Sequence, residues 1–480
     1  MLAPLFVAFR CGDTRTALAF AIPAVAGILG GAIATYIRRC RKQETLGIGS
    51  AFTAVGGSWV SVCLFGAIPF LISGAIPSFT NALFESISGF TTTGASIFAE
   101  VEHLSPAINL WRCETHWLGG MGVIVLVVAL VPLLGIGGFR LVKAETTGPE
   151  KGKFTARITS TAKALWLVYC AFTALQTVLL RFCGLSWFEA VCHAFSTLGT
   201  GGFSTRNGSV GAFCNPAAEW VCIVFMLLAS VNFALYCRLL SGRRPSEVLR
   251  DSELRTFLCI AGGAILVAFL GHGVSGSGVA AALRGSAFQV ASILSTTGFM
   301  TEDYTAWRPT AQMVLFVLFL VGGCSGSTGG GIKVVRWTLL AKQLANETRR
   351  MLHPRAVYTI RLDGHPGRED LVPLAATFIF AYVMLVGVTA LVGAIGGLAP
   401  FEALTGALSM VGNVGPAFGK LGPTSNYGFL PAPVKLWYCF AMLAGRLEIY
   451  TMAILAARAA ASVARLFARS SQVKRGTPHM

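Results

Sequence analysis

Apolar stretches long enough to cross about 30 Å of hydrocarbon recur from one end of this chain to the other. Ala17 to Ile37, Ile48 to Ile72, Val123 to Leu134 with its flanks, and Ala217 to Leu240 are examples. Charge content agrees, because 12% of the 480 residues are charged against about 25% in an ordinary soluble domain. The expected fold class is an all-α polytopic membrane protein, since backbone polar groups in hydrocarbon must find their partners internally.

A net charge of +17 raises the question of nucleic acid, but that reading needs basic and aromatic residues interleaved on one exposed face. Here the charges mark topology instead. Basic residues gather in alternate inter-helix segments: Arg38, Arg39, Arg41 and Lys42, then Arg140, Lys143, Lys151, Lys153 and Arg157, then Arg243, Arg244, Arg250 and Arg255. The positive-inside rule assigns these to the cytoplasm, together with the basic terminal segments, and leaves Glu100, Glu102, Glu114, Glu302 and Asp303 outside. The 13 cysteines stand singly, with no spacing of a zinc ribbon or haem attachment, and read as small apolar residues. Met1 to Arg10 lacks the pattern of a cleaved signal peptide, so Ala17 to Ile37 is expected to be an uncleaved first full span.

Four short segments share one design, an apolar amphipathic stretch followed by a glycine-containing turn rich in Thr, Ser or Asn. They are Asn81 to Ser96, Glu189 to Ser204, Ser286 to Thr301 and Glu402 to Phe418. Aligned on Gly94, Gly202, Gly298 and Gly415, they place Glu85, His193, Gln289 and Gly406 at the same upstream position without gaps. A stretch of about ten to twelve residues spans at most ~18 Å as a helix, too little to cross the bilayer. It must enter and return. Full-length apolar spans flank each one, so the expected architecture is a helix, pore half-helix, filter loop, helix unit repeated four times with pseudo-fourfold symmetry around one pore. The segments are 1–40 (N-terminal), 45–137, 160–241, 252–345 and 370–463 (repeats), and 464–480 (cytoplasmic tail).

Non-helical backbone at membrane depth is tolerated where it lines water or is buried in protein, so the four turns are expected to meet on one axis. Extended residues such as Thr92-Thr93-Gly94 then present backbone carbonyls, and rings of such oxygens can replace the hydration shell of a bare cation. The C-terminal ends of the half-helices add a negative potential. A membrane-embedded enzyme would need a nucleophile with its base, clustered carboxylates or a metal set, and none is visible. Glu189 and His193 have the spacing of a metal pair but no third ligand; hydrogen bonds that brace the half-helices are the expected role of Glu85, Glu189, His193 and Glu402. His116 and Trp117 are expected to form an interfacial anchor and helix contact.

The stretches SGFTTTGAS (Ser88 to Ser96), HAFSTLGTGGFST (His193 to Thr205), STTGFM (Ser295 to Met300) and GNVGP (Gly412 to Pro416) resemble the four filter loops of TrkH-type potassium transporters, in the superfamily that includes the Ktr and plant HKT proteins. HWLGGMGVIVL (His116 to Leu126), GGCSGSTGGGIKVVR (Gly322 to Arg336) and AGRLEIYT (Ala444 to Thr451) are similar to the same family. The resemblance implies filter carbonyls from Thr92 and Thr93, Thr200 and Gly201, Thr296 and Thr297, and Asn413 and Val414, ahead of Gly94, Gly202, Gly298 and Gly415. Glycine at all four positions, rather than serine at the first, implies potassium preference, with rubidium also conducted. It further implies a homodimer, each subunit with its own pore, gated by a cytosolic ring of NAD- or ATP-binding regulatory subunits of the TrkA type. A proton- or sodium-coupled cation symporter of the same fold is the alternative; such a relay needs mid-span Asp or Glu, and the full spans offer no convincing one. Relatives usually begin with one more complete span than Met1 to Phe9 allows here, and Thr200 stands where they tend to carry a bulkier residue.

The glycines Gly322, Gly323, Gly326, Gly329, Gly330 and Gly331, with Ser325, interrupt an apolar run that starts near Met313 and resumes at Val334. The order is not that of a phosphate-binding loop. A flexible plug below the filter is expected, matching the family's intramembrane gating loop, with Lys333 as a gating or anchoring charge at its end. Arg446 falls inside an apolar helix expected from Pro433 to Ala457, where an unpartnered charge costs at least ~2.5 to 3.5 kcal/mol. The family's matching arginine projects into the conduction path.

Overall fold

The computed structural model describes residues 1–40, 48–134, 151–242, 244–272, 278–356, 358–362, 365–366, 371–458 and 460. The topological charges Arg41, Lys42, Arg140, Lys143 and Arg243, and the tail at 464–480, lie outside the described residues. Helices α1 (Leu2–Arg10) and α2 (Thr14–Cys40) precede four units of one plan. The first unit is α3 (Ile48–Ser73), short α4 (Phe79–Phe90) and α5 (Pro106–Leu134). The second is α6 (Lys151–Phe182), short α7 (Trp187–Gly199), α8 (Pro216–Ala229) and α9 (Phe233–Leu240). The third is α10 (Ser252–His272), short α11 (Val279–Leu294), α12 (Pro309–Leu318) and α13 (Val334–Leu352). The fourth is α14 (Leu371–Ile395), short α15 (Pro400–Gly412) and α16 (Ala432–Arg446), with helix resuming over 450–458. Among the described residues the strands are one two-residue antiparallel pairing, Arg361–Leu362 with His365–Pro366, in the linker before α14.

Local chemistry sets these boundaries. Ser186 and Glu189 form a capping box that starts α7, and proline occupies the first turn of α8, α12 and α15, where its missing N–H is no loss. The short helices run 12 to 16 residues, under the length needed to span hydrocarbon, and they end in the buried centre of the molecule. Leu18, Ile22, Ile28, Leu29 and Ile33 of α2, by contrast, are exposed, the pattern of a helix that faces lipid.

The trailing spans depart from expectation. Full-length helices are expected on both sides of each half-helix, save for the glycine-rich interruption of the third trailing span, yet three of the four trailing spans are broken. The second bends by 90° at residues 230–232. The third is interrupted from Phe319 to Lys333, as its glycines predict. The fourth breaks directly after Arg446, so the helix expected from Pro433 to Ala457 is two pieces; Glu448 and Ile449 adopt φ of 58° and 52°, rare for any residue with a side chain and rarer for a β-branched one.

Candidate ion-conducting site

The short helices end in four turns of one geometry. Just past the helix ends Thr92, Thr200, Thr296 and Asn413 have φ of 55°, 55°, 58° and 55°, and two positions on, Gly94, Gly202, Gly298 and Gly415 have φ of 79°, 80°, 79° and 100°. A left-handed conformation costs a residue with a Cβ roughly 1–2 kcal/mol, so a shape repeated four times at one register is imposed by what surrounds it. Side chains hold it from behind. Thr93 Oγ1 lies 2.8 Å from Thr91 Oγ1 and, at the equivalent place in the third repeat, Thr297 Oγ1 lies 2.6 Å from Ser295 Oγ. Asn413 Nδ2 donates to Thr93 Oγ1 at 3.0 Å and to Met442 O at 2.9 Å, and the Tyr427 hydroxyl donates to Gly415 O at 2.7 Å.

The turns close a ring. A Cβ placed on Gly94 would collide with the carbonyl oxygen of Gly201, one on Gly202 with that of Thr297, and one on Gly298 with that of Val414. On Gly415 it would sit 2.5 Å from Thr93 O. The cycle runs through repeats one, two, three and four and back to one, so the four turns pack edge to edge in a closed ring whose glycine-to-carbonyl contacts leave no room for a side chain. The two residues ahead of each glycine are buried, while Gly94, Gly202 and Gly298 are part exposed and Gly415 is buried beside part-exposed Pro416. They floor a cavity of about 150 Å³ walled by Phe98, Arg112, Asn207 and Tyr427.

At the position shared by the half-helices three side chains brace the returning segments, as expected for Glu85 and His193. Glu85 accepts from Ser96 Oγ and Ile97 N, His193 Nε2 lies 2.9 Å from Ser204 Oγ, and Gln289 Nε2 donates to Glu302 O at 3.0 Å. Gly406 has no side chain to offer, and the adjacent Thr405 Oγ1 accepts from Phe418 N at 3.4 Å. Glu189 pairs with Arg206 at 2.7 Å and Glu402 accepts from Lys420 N at 3.0 Å. His116 is no interfacial anchor. It is fully buried behind the ring of turns, its Nδ1 2.8 Å from Gly89 O and its ring stacked on Phe203 at 4.1 Å, because Gly201 leaves it the space a Cβ would fill.

Glu85 also receives Arg112 Nε at 2.8 Å, and both side chains are essentially inaccessible to solvent. Arg112 reaches Ser96 Oγ and, across the repeat boundary, Ser204 O. Removing one partner of such a pair strands a buried charge at roughly 3–5 kcal/mol. Arg112→Ala is therefore expected to lower the unfolding temperature in detergent markedly, with Glu85→Gln/Arg112→Met recovering most of it; an unchanged transition for Arg112→Ala would show that the pair does not hold the outer turns together.

On the side of the ring away from the cavity lies the glycine-rich segment, packed rather than loose. Gly330 N donates to Thr296 Oγ1 at 2.7 Å, and a Cβ on Gly330 would strike Gly412 O. Arg446 is buried and donates to Thr328 O at 2.7 Å and to Gly119 O at 3.3 Å. Lys333 Nζ reaches back to Gly329 O at 2.5 Å, an anchor of the loop. Two acidic groups complete it. Glu253 Oε1 accepts from Ser325 N at 2.6 Å, Ser325 Oγ at 3.0 Å and Val335 N at 3.2 Å. Glu448 pairs not with Arg446 but with Arg336, at 2.6 Å, whose guanidinium lies 3.6 Å above the Phe378 ring.

Four half-helices converging on a closed carbonyl ring, with a cavity on one side and a buried loop and arginine on the other, define a cation pore of the four-repeat class. Residues 19–464 match the TrkH family, described as cation transport protein. The chain is 37% identical over 428 residues to the Trk system potassium uptake protein TrkH of Halomonas elongata, covering 88% of this chain and 87% of that one. It is 37% identical over 403 residues to the TrkH of Escherichia coli, covering 83% of each. The crystal structure of the potassium transporter TrkH from Vibrio parahaemolyticus superposes with a TM-score of 0.85 at 35% identity, over 95% of this chain and 94% of that one. The chain belongs to the TrkH family of membrane cation transport proteins.

Proposed function

We propose that this chain carries potassium into the cell across a bacterial inner membrane, through a pore whose filter is the ring formed by residues 92–94, 200–202, 296–298 and 413–415. The observation that carries the reading is the closed cycle of glycine-to-carbonyl contacts around all four repeats. Such a ring exchanges water oxygens for backbone oxygens around a dehydrated monovalent ion, and rubidium fits the same exchange. The repeats are bounded near 45–137, 160–241, 252–345 and 370–463, the cavity faces outward, and the loop and basic termini face the cytoplasm. In a strain that lacks its own potassium uptake, expression is expected to restore growth at low potassium and to support rubidium uptake that excess potassium suppresses; sodium suppressing it equally would overturn the reading.

The loop at 322–333 is the gate, with Arg446 and Lys333 as its fixed charges. It stands directly beneath the ring through Gly330 and Thr296, and it continues into α13, which ends in exposed Arg349 and Arg350. A cytosolic nucleotide-binding subunit docking on this basic end, with Arg355, could transmit a pull straight to the loop, and two such pores would assemble as a homodimer. Charge reversal at Arg349, Arg350 and Arg355 is expected to weaken co-purification with that regulator and leave ion preference unchanged; full retention would remove this surface from the docking site.

A further inference from the structure

We infer that Asn232 positions the gating loop, by holding the second trailing span bent so that the span's unpaired backbone groups bind the loop. The inference deepens the reading of residues 322–333 as the gate and rests on it for its effect on flux. A continuous helix through the bend would join Phe233 N–H to Ala229 O and Ala234 N–H to Ser230 O. All four groups are engaged elsewhere. Ala229 O accepts from Thr328 N at 3.3 Å and Thr328 Oγ1 at 3.1 Å, and Ser230 O accepts from Cys324 N at 2.8 Å. Phe233 N donates to Gly326 O at 3.2 Å, and Ala234 N donates to Asn232 Oδ1 at 2.9 Å.

The straight span and the docked loop therefore compete for the same hydrogen-bonding groups, and so the two states exclude each other. Straightening the span returns Ala229 O and Ser230 O to helix donors and releases Cys324, Gly326 and Thr328 together. Within the span itself Ala229 O, Ser230 O, Phe233 N and Ala234 N are bonded in either form, which matters because an unpaired backbone group at this depth costs several kcal/mol. Asn232 decides the balance. Its side chain caps α9, a service the bent form needs and the straight form does not. Thr328, released on one side by the second repeat, is the residue that Arg446 holds on the other.

Cys324 is buried under this arrangement and reports loop position independently of ion flow. Peptide-resolved alkylation by a small maleimide, in the full chain reconstituted in liposomes, is expected to run about fivefold faster at Cys324 in Asn232→Ala, the factor that loss of one N-cap corresponds to, and potassium flux to rise with it. Asn232→Ser, which keeps a capping oxygen, should stay near wild type. Ala234→Pro forbids the straight helix, since proline lacks the donor and clashes with the preceding turn, so Asn232→Ala/Ala234→Pro should return Cys324 to slow labelling. Unchanged labelling in Asn232→Ala, or fast labelling that Ala234→Pro does not reverse, overturns the inference. Faster labelling at constant flux supports it and overturns the assignment of the loop as gate.

Discussion

Gly94→Ser is expected to raise sodium permeability relative to potassium by about tenfold, the ratio that roughly 1.4 kcal/mol of lost discrimination corresponds to. The added Cβ has nowhere to go. It would occupy the position of the Gly201 carbonyl oxygen, and Gly201 is itself pinned from behind by the His116 ring, which is fixed on Gly89 O and Phe203. The collision also forces a side chain into a backbone conformation with φ of 79°. Either the carbonyl turns away or the first turn withdraws, and in both cases the ring loses one side of its cage. Bi-ionic flux in liposomes measures the ratio; an unchanged ratio would mean that the Gly94 turn does not select ions.

Removing Ser325 to Gly330 is expected to open the pore, with basal potassium flux raised by an order of magnitude or more. The geometry makes this deletion mild for the fold. Gly322 N donates to Ile332 O at 2.7 Å and Val334 N donates to Gly323 O at 3.2 Å, so the two stems of the loop are already joined at its base. What the deletion removes is Thr328, Gly329 and Gly330, which pack against the ring of turns through Thr296, together with one partner of Arg446. Arg446→Gln should give a smaller rise, since it removes the charge and leaves the loop in place. Flux at background in a monodisperse deletion protein would assign the loop a structural role instead.

Much of this site is legible in the sequence because backbone geometry leaves marks there. A glycine that must meet a carbonyl cannot be anything else, and four of them in register with half-helices too short to span hydrocarbon specify a convergent ring. Arg446 is legible because a charge in an apolar run needs a partner. Other features leave weaker marks. The bend at 230–232 reads Ser-Val-Asn, with neither glycine nor proline; Asn232 ahead of an apolar stretch is an N-cap signal that goes unnoticed inside a run long enough to cross the membrane. Glu253 resembles an ordinary acidic residue in a first helical turn, and only the return of Ser325 and Val335, far along the chain, reveals what it holds. His116 looks like an interfacial residue because nothing local says that Gly201 vacates space for it. Arg336 and Glu448 are joined by tertiary structure alone, across a break that carries no helix-breaking residue.

The most direct test of the central claim, a potassium-selective ring of backbone carbonyls drawn from all four repeats, is the reversal potential of the Ser325–Gly330 deletion protein under opposed potassium and sodium gradients. The account predicts a potential close to that for potassium, unchanged when sodium is replaced by an impermeant cation, insensitive to collapse of a pH gradient, and shifted toward zero by Gly94→Ser. A potential near zero in the unsubstituted filter, or one that follows the proton gradient, would contradict it.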